Sequence, residues 1–313
     1  MAKPMFRATP IEVEVPATSA NIGPGFDSFG IALALKDRYV AQVLDEPGLD
    51  FDIAGEESDS LRRDEKNLLI KSMNLGFDHM GGKPRGLAVR ALNVIPHSRG
   101  LGSSAGAIVG GLVLARALVL NGLERMDDDA LLTIATKLEG HPDNVSAALL
   151  GGATISWYEK IGAHKLPRAV RINVDPRIKA VAFIPSLSVA TSKARKLLPE
   201  MIPHHEAVAN STHTALLVHA LSARPDLLLT ATEDFLHQKY RQKVMPQTFA
   251  LVNKLRDAGM AAFISGAGPT VLVLHTQDSS DSGDVIELAR AVGEGFKVTH
   301  LEISSMGATV ASS

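Results

Sequence analysis

The sequence Pro96-His-Ser-Arg-Gly-Leu-Gly-Ser-Ser-Ala-Gly106 is a glycine-rich segment, here called the central loop. It lies between an aliphatic stretch, which predicts a β-strand, and a long apolar stretch, which predicts a helix. Gly100 and Gly102 lack a Cβ atom, so a ligand can approach the backbone closely. Successive N–H groups at a helix start favour anions, and Ser103 and Ser104 add hydroxyl groups that suit phosphate or Mg²⁺. The central loop therefore predicts a phosphate site, although a plain serine N-cap has a similar sequence.

Two common nucleotide-binding motifs do not fit this segment. A Walker A loop requires GKS or GKT after the glycines, and neither follows here. The dinucleotide fingerprint requires a third glycine in register and an acidic residue ending the next strand, and GLGSSAG meets neither requirement. A nicotinamide-dependent enzyme is therefore a weak interpretation.

The length and composition predict a globular protein of two domains. The chain has 313 residues, of which 45% are hydrophobic and 21% charged, and its formal net charge is −2. This charge predicts no general attraction to nucleic acid or to an anionic membrane. The absence of cysteine excludes disulfides, thiolate metal sites and cysteine nucleophiles. The first fifteen residues lack the apolar core of a signal peptide, so we expect a cytoplasmic protein.

Helical and strand patterns alternate irregularly, without the βαβ rhythm of a doubly wound sheet, which favours the α+β class. A Pro- and base-rich stretch predicts a domain boundary that separates residues 1–167 from residues 168–313. The first strand is expected to end at Pro16. Periodicity predicts helices at 67–80, 105–120, 127–139, 192–197, 206–223, 226–236, 245–258 and 284–294, and strands at 11–15, 30–44, 86–95, 153–159, 170–174, 179–184, 261–264, 270–275 and 297–303.

Two further glycine-rich segments flank the central loop in the sequence. They are PATSANIGPGFDSFG at 16–30 and SGAGP at 265–269. Each segment taken alone is more often a structural turn than a binding site. Their presence together with the central loop makes a shared function the better hypothesis.

The three segments, in this order, resemble the three motifs of the GHMP kinases. The wording that carries the resemblance is PATSANIGPGFDSFGIAL, PHSRGLGSSAGA and SGAGPTVLVL, which spans residues 16 to about 275. The resemblance implies a two-domain α+β fold, with an N-terminal domain similar to domain 2 of ribosomal protein S5 and a ferredoxin-like C-terminal domain. It also implies that ATP lies between them, with its triphosphate on the central loop. Gly106 departs from the pattern, which has alanine there.

Two more segments narrow the resemblance to the members that phosphorylate homoserine. They are LEGHPDNVSAALLGG at 138–152 and SVATSKARKLLP at 188–199. The implied reaction is phosphoryl transfer from ATP to the side-chain hydroxyl of L-homoserine, which leads towards threonine. The alternatives are another small-molecule kinase of the family, for example one that acts on mevalonate, or a non-catalytic binding protein with this fold. The resemblance also makes a homodimer plausible.

Nucleotide and metal contacts can be assigned by the resemblance. Ser104 and Glu139 resemble the family's magnesium contacts, although Glu139 taken alone would be interpreted as a solvated glutamate at a helix end. The implied ATP-binding residues are Pro96, His97, Ser98, Arg99, Gly100, Leu101, Gly102, Ser103, Ser104, Ala105 and Gly106.

Catalytic and acceptor-binding residues can be assigned in the same way. His141, Asp143 and Asn144 match the family's substrate loop, where Asn144 can bond to the attacking hydroxyl. Asp143 is open to two roles, as general base or as part of a site that works by positioning. Arginine suits a carboxylate because its donors are paired and planar. The implied substrate contacts are Asn21, Asp27, His141, Asn144, Thr191, Arg195, Arg241, Gly266 and Gly268.

Overall fold

Two β-sheets with helices packed against them form the described part of this computed structural model, residues 3–276 and 295–311. The predicted α+β class is confirmed by this mixture of helices and largely antiparallel sheets. The predicted helix at 284–294 lies outside the described residues. Within these ranges, no helix combines the length and the apolar character needed to cross a bilayer.

The strands and helices are numbered in chain order. The strands are β1 (Ile11–Ala20), β2 (Phe29–Leu44), β3 (Gly48–Gly55), β4 (Gly86–Asn93), β5 (Ala153–Ile161), β6 (His164–Ile172), β7 (Ile178–Pro185), β8 (Ala261–Ile264), β9 (Val271–Thr276), β10 (Phe296–Glu302) and β11 (Thr309–Val310). The helices are α1 (Leu68–His79), α2 (Ser103–Leu118), α3 (Gly122–Arg125), α4 (Asp128–Glu139), α5 (Asp143–Leu150), α6 (Thr191–Arg195), α7 (His204–Ser222), α8 (Leu228–Ala231) and α9 (Pro246–Asp257).

The first sheet has the order β11-β1-β2-β4-β3, and β5 joins it by pairing with β2 and with β6. Its pairs are antiparallel except β3 with β4, which are parallel and are connected through α1. Helix α2 is apolar nearly all round because it packs against α1, α4, α5 and the sheet. The start of this buried helix is therefore held firmly against the first sheet.

The second sheet has the order β10-β7-β9-β8, and all its pairs are antiparallel. Helices α6 to α9 lie between β7 and β8 in the chain. This strand–helix–strand order is the first part of the expected ferredoxin-like arrangement. A hydrophobic cluster joins the two sheets, and Leu101 of the central loop is buried in it. The central loop is therefore fixed where the two sheets meet.

The first strand does not end at Pro16, so this prediction is wrong. Strand β1 continues to Ala20, and its register with β2 shifts between Pro16 and Ala17. Proline is tolerated at such a bulge, since the ladder there needs no N–H from it. The glycine-rich turn consequently begins at Asn21, and the residues just before it are strand residues.

Other sequence predictions differ from the structure in extent. The helix predicted at 226–236 is a 3₁₀ turn at Pro225–Leu227 followed by the short α8, and the carboxylate of Asp234 then accepts N–H bonds from the next turn. Strand β3 was not predicted. The boundary at 167/168 falls within β6, which pairs with β5 as far as Ile172. The boundary position stays a prediction, and this hairpin favours placing it after Ile172.

Candidate active site

The three glycine-rich segments meet at one place in the structure. The side chain of Asn21 donates through Nδ2 to the carbonyl oxygen of Gly266 at 2.9 Å. Ser265 donates through Oγ to the Gly100 carbonyl oxygen at 2.6 Å, and it also bonds Ser19 Oγ at 2.8 Å. These bonds join residues far apart in the chain, so the segments form one continuous wall.

A cavity of about 360 Å³ opens beside this wall. Its lining falls into an apolar group and a polar group, as is usual for small-molecule sites. The apolar group includes Tyr39, Phe51, Ile53, Leu61, Leu68, Leu69 and Ala91, and the polar group includes Asn21, Ser103, Ser104, Glu139, His141, Asp143, Asn144, Thr191, Arg195 and Arg241.

The start of α2 faces this cavity without a side-chain cap. Gly102 is the N-cap residue, has φ of 72°, and provides no side-chain hydrogen bond. Ser103 is already the first helical residue, so the plain serine N-cap considered from the sequence is wrong. Uncapped N–H groups at a helix start favour an anion such as phosphate.

Some residues of the central loop line the cavity, and the others lie behind it. The side chain of Arg99 points to Glu57 and to the carbonyl oxygen of Pro185, so it ties the loop to the end of β7. The residues that line the cavity are His97, Ser98, Gly100, Gly102, Ser103 and Ser104, whereas Pro96, Arg99, Leu101, Ala105 and Gly106 do not line it. The second set supports the loop from behind.

Ser104 and Glu139 form an oxygen-rich pair at the cavity. Ser104 Oγ donates to Glu139 Oε2 at 2.6 Å. Burial raises the pKa of Glu139, and the Ser104 bond offsets only part of that effect. Both atoms are oxygen ligands of the kind Mg²⁺ prefers, and a cation there would favour the ionised carboxylate. The pair would therefore suit a divalent cation such as magnesium.

His141, Asp143 and Asn144 surround the start of α5. The segment is therefore not only a loop, because Asp143 is the first residue of that helix. Asp143 is 1% exposed, and its Oδ1 lies 2.7 Å from His141 Nδ1 and accepts the backbone N–H of Asn144 at 2.7 Å. Burial lowers the pKa of His141, but the bond and charge of Asp143 outweigh burial, so the pKa is raised. Asp143 thus holds both neighbours in place.

Arg195 and Asp27 form a two-pronged ion pair next to the cavity. Arg195 Nη1 donates to Asp27 Oδ2 at 3.0 Å, and Nη2 donates to Asp27 Oδ1. The guanidinium carbon also lies 5.5 Å from the centre of the Phe26 ring. Asp27 does not line the cavity, whereas its partner Arg195 does.

Arg241 is a buried cation that forms no salt bridge in the described ranges. It is 1% exposed, its Nη1 donates to the Gly266 carbonyl oxygen at 2.6 Å, and its Nε has no hydrogen-bond partner. Burial lowers the pKa of Arg241 to about 10. A buried charge in this state favours an incoming anion, since pairing would offset the lost hydration.

The other predicted substrate residues have different placements. Asn21, with φ of 70°, accepts the Asp27 backbone N–H through Oδ1 at 3.0 Å and so shapes the turn that carries Asp27. Thr191 begins α6 and lines the cavity, as does Gly266. Gly268 does not line it, and a Cβ there would lie 2.6 Å from Met245 Sδ, which indicates a packing role.

Sequence reasoning did not identify two parts of the site. Thr18 donates through Oγ1 to Asn144 Oδ1 at 2.8 Å, and no local pattern marks it because it lies within a strand. The apolar group includes Phe51 and Ile53 of β3. The alternation Leu49, Phe51 and Ile53 is the signal that could have revealed this strand.

Comparisons with known proteins identify the family. The model of the GHMP kinases N terminal domain matches residues 67–152, and that of the GHMP kinases C terminal matches residues 216–298. The chain is similar to a homoserine kinase of Streptomyces avermitilis, with 52% identity over 310 residues that cover 99% of this chain and 98% of that protein. It is 51% identical over 310 residues to a homoserine kinase of Streptomyces coelicolor, which covers 99% of this chain and 97% of that protein. The crystal structure of homoserine kinase from Cytophaga hutchinsonii matches with a TM-score of 0.80 and 27% identity, covering 98% of this chain and 99% of that chain.

Proposed function

The chain belongs to the GHMP kinase family, and from this premise we propose that it transfers the γ-phosphoryl group of ATP to the side-chain hydroxyl of L-homoserine. The product is O-phospho-L-homoserine, an intermediate on the route to threonine. The observation that carries the proposal is the set of charges beside the uncapped helix start. Two arginines and one aspartate, Arg195, Arg241 and Asp27, are matched to the carboxylate and ammonium of a free amino acid.

The apolar and polar groups of cavity-lining residues indicate how the nucleotide would bind. The apolar group suits the adenine ring, since Phe51, Ile53 and Ala91 offer no competing polar atoms there. The triphosphate then extends to the central loop and the uncapped N–H groups of α2. ATP bound in this way points its γ-phosphoryl group towards the polar part of the cavity.

A magnesium ion belongs to the same proposal. Ser104 and Glu139 would hold it, because their oxygens lie together at the start of α2 and the end of α4. When bound, the ion supplies neutralisation of the charge on the β- and γ-phosphate oxygens. Glu139 would give a carboxylate oxygen to the ion, and the positive charge of the ion would in turn favour the ionised carboxylate.

The acceptor amino acid fits beside the Arg195–Asp27 pair. Its ammonium replaces Arg195 as a partner of Asp27, and its carboxylate replaces Asp27 as a partner of Arg195. The carboxylate also meets Arg241, whose buried Nε has no hydrogen-bond partner within the described chain. Each charged group of the site therefore has an opposite charge beside it when the amino acid binds.

Positioning is the main contribution of the remaining residues to the reaction. Asn144 borders the cavity and can bond the acceptor hydroxyl, which places its oxygen for in-line attack on phosphorus. Oδ1 of Asp143 already accepts the Asn144 N–H and contacts His141. Phosphoryl transfer through a loose transition state depends mostly on placement and charge stabilisation, so Asp143 acts by holding its neighbours.

A panel of acceptors tests this proposal. ADP release would be measured in a coupled assay with L-homoserine, mevalonate, L-serine and 4-hydroxybutyrate, and the product would be identified by ³¹P NMR. We expect the highest kcat/KM with L-homoserine. Faster turnover of mevalonate, or no Mg·ATP-dependent product with any acceptor, would refute the proposal.

A cytoplasmic location and a homodimer complete the proposal. Both rest on the resemblance to the homoserine-phosphorylating members of the family. Light scattering after size-exclusion chromatography measures the mass directly, and a monomer of 33.2 kDa at all concentrations would contradict the dimer.

A further inference from the structure

Thr18 connects three parts of the site although it does not line the cavity. It is fully buried in β1, and its Oγ1 donates to Asn144 Oδ1 at 2.8 Å. Its backbone N–H donates to the carbonyl oxygen of Leu101, in the central loop, at 3.0 Å. A Cβ on Gly102 would overlap Thr18 Oγ1, so the loop lies directly against the hydroxyl group. Thr18 thereby links β1, the central loop and α5.

The hydrogen bonds around Asn144 determine how its amide is turned. Asn144 Nδ2 lies 3.4 Å from Asp143 Oδ1, and an ionised carboxylate only accepts hydrogen bonds. The reversed amide would place Asn144 Oδ1 against that carboxylate, which is repulsive. Oδ1 therefore faces Thr18, whose hydroxyl can donate to it.

This orientation leaves one N–H of Asn144 Nδ2 without a hydrogen-bond partner among the described residues. Asn144 is partly exposed and lines the cavity, where the acceptor hydroxyl must lie for phosphoryl transfer. The amide can then give a hydrogen bond to the hydroxyl oxygen. It cannot take the hydroxyl proton, because its own oxygen is turned away.

We propose, on the basis of the function above, that Thr18 is a positioning residue that fixes the Asn144 amide with Nδ2 towards the acceptor hydroxyl. Loss of the Thr18 hydroxyl removes the donor that holds Asn144 Oδ1 in place. The amide then rotates more freely, and a smaller fraction of bound acceptor is correctly placed for attack. The nucleotide site is expected to change little, since the bond from Thr18 to Leu101 comes from the backbone.

Thr18→Ala and Thr18→Ser form the matched pair that tests this role. Both lose the methyl group, and only the serine keeps a hydroxyl. We expect kcat of Thr18→Ala to be about tenfold below that of Thr18→Ser, which corresponds to one neutral hydrogen bond. The KM for ATP should agree within about twofold between the two.

A double-mutant cycle separates positioning from a merely structural effect. If Thr18 acts through Asn144, adding Thr18→Ala to Asn144→Ala should change kcat by less than about twofold. A full tenfold loss in the Asn144→Ala background would overturn the proposal, as would equal kcat for Thr18→Ala and Thr18→Ser. If Thr18→Ala does not fold, Thr18→Cys takes its place, since a thiol is a weak donor.

A readout that is independent of activity keeps this proposal distinct from the proposed function. In protein labelled with ¹⁵N-asparagine, the side-chain amide resonances of Asn144 should shift in Thr18→Ala and stay near their original positions in Thr18→Ser. Unchanged resonances in Thr18→Ala would refute the orientation role. If wild-type protein does not turn over L-homoserine while the expected shifts are seen in Thr18→Ala, only the proposed acceptor is refuted.

Discussion

Gly100→Ala is expected to weaken phosphate binding, and the loss should be far larger than backbone strain alone would cause. Gly100 has φ of +78°, where an L-residue with a side chain costs about 1–2 kcal/mol. An added Cβ would also lie 2.3 Å from the Ser265 carbonyl oxygen and 3.0 Å from that of Gly268, and both are backbone atoms. The first contact must lengthen by about 0.7 Å to reach 3.0 Å, so the central loop and the 265–269 turn must separate.

The size of the effect follows from that movement. A misplacement of about 1 Å in a catalytic arrangement can cost about 10²-fold in rate, so we expect kcat/KM for ATP to fall by roughly 30- to 100-fold. Gly259→Ala is the matched control, because Gly259 has φ of +84° and an added Cβ would have no neighbour within 4 Å. It should lose about 1–2 kcal/mol of unfolding free energy and keep its activity.

The coupled ADP-release assay and urea unfolding measure both quantities on both variants. We expect Gly100→Ala to lose activity that Gly259→Ala retains, and to lose at least as much stability. Equal kcat/KM values in the two variants would show that the contact between the central loop and Ser265 does not position the phosphates.

Three further predictions concern individual side chains. Arg195→Ala should raise the KM for homoserine about tenfold or more and leave the KM for ATP nearly unchanged, whereas Arg224→Ala, which removes an exposed arginine paired with an aspartate, should change neither. Ser104→Ala should raise the magnesium concentration for half-maximal activity, and an unchanged magnesium titration would remove Ser104 from the metal site. The folded-state pKa of His141 is raised, so the stability it adds should be complete below its ordinary pKa of about 6.5 and be lost as pH rises through the folded value. Urea unfolding of wild type and His141→Gln between pH 5 and 9 measures this, and a difference that grows with pH would contradict it.

Elements with local signals could be predicted from the sequence. Helix α1 begins after Asn67 and α4 begins after Asp127, and each of these side chains accepts an N–H bond at its helix start. The extension of β1 past Pro16 could not be predicted in this way. It depends on a bulge against β2, which is a property of the pair and not of the strand alone.

The sequence predicts the site as a set of residues, of which many but not all line the cavity, and it predicts none of the bonds between them. Arg195 and Asp27 were each assigned to the substrate, yet their mutual ion pair joins positions 168 residues apart. Thr18 and Asn144 are separated by 126 residues, and neither sequence context indicates the bond between them. Such partners are fixed only when the sheets pack, because side-chain pairing at this range is a tertiary property.

If Arg195, Asp27 and Arg241 hold the acceptor as proposed, their charges favour an amino acid over a simple hydroxy acid. An amino acid would separate Arg195 from Asp27, but its carboxylate would pair with Arg195 and its ammonium with Asp27. A hydroxy acid has a carboxylate but no ammonium. It can bind to Arg241 alone and leave the Arg195–Asp27 pair intact, or it can bind to Arg195 and leave Asp27 without a cation. Both choices forfeit charge-assisted bonds that are each worth about 1.5–3 kcal/mol when desolvated, although solvent reduces this figure because Arg195 and Asp27 are 34% and 36% exposed. The closed pair therefore selects for zwitterions before any contact with the reacting hydroxyl is made.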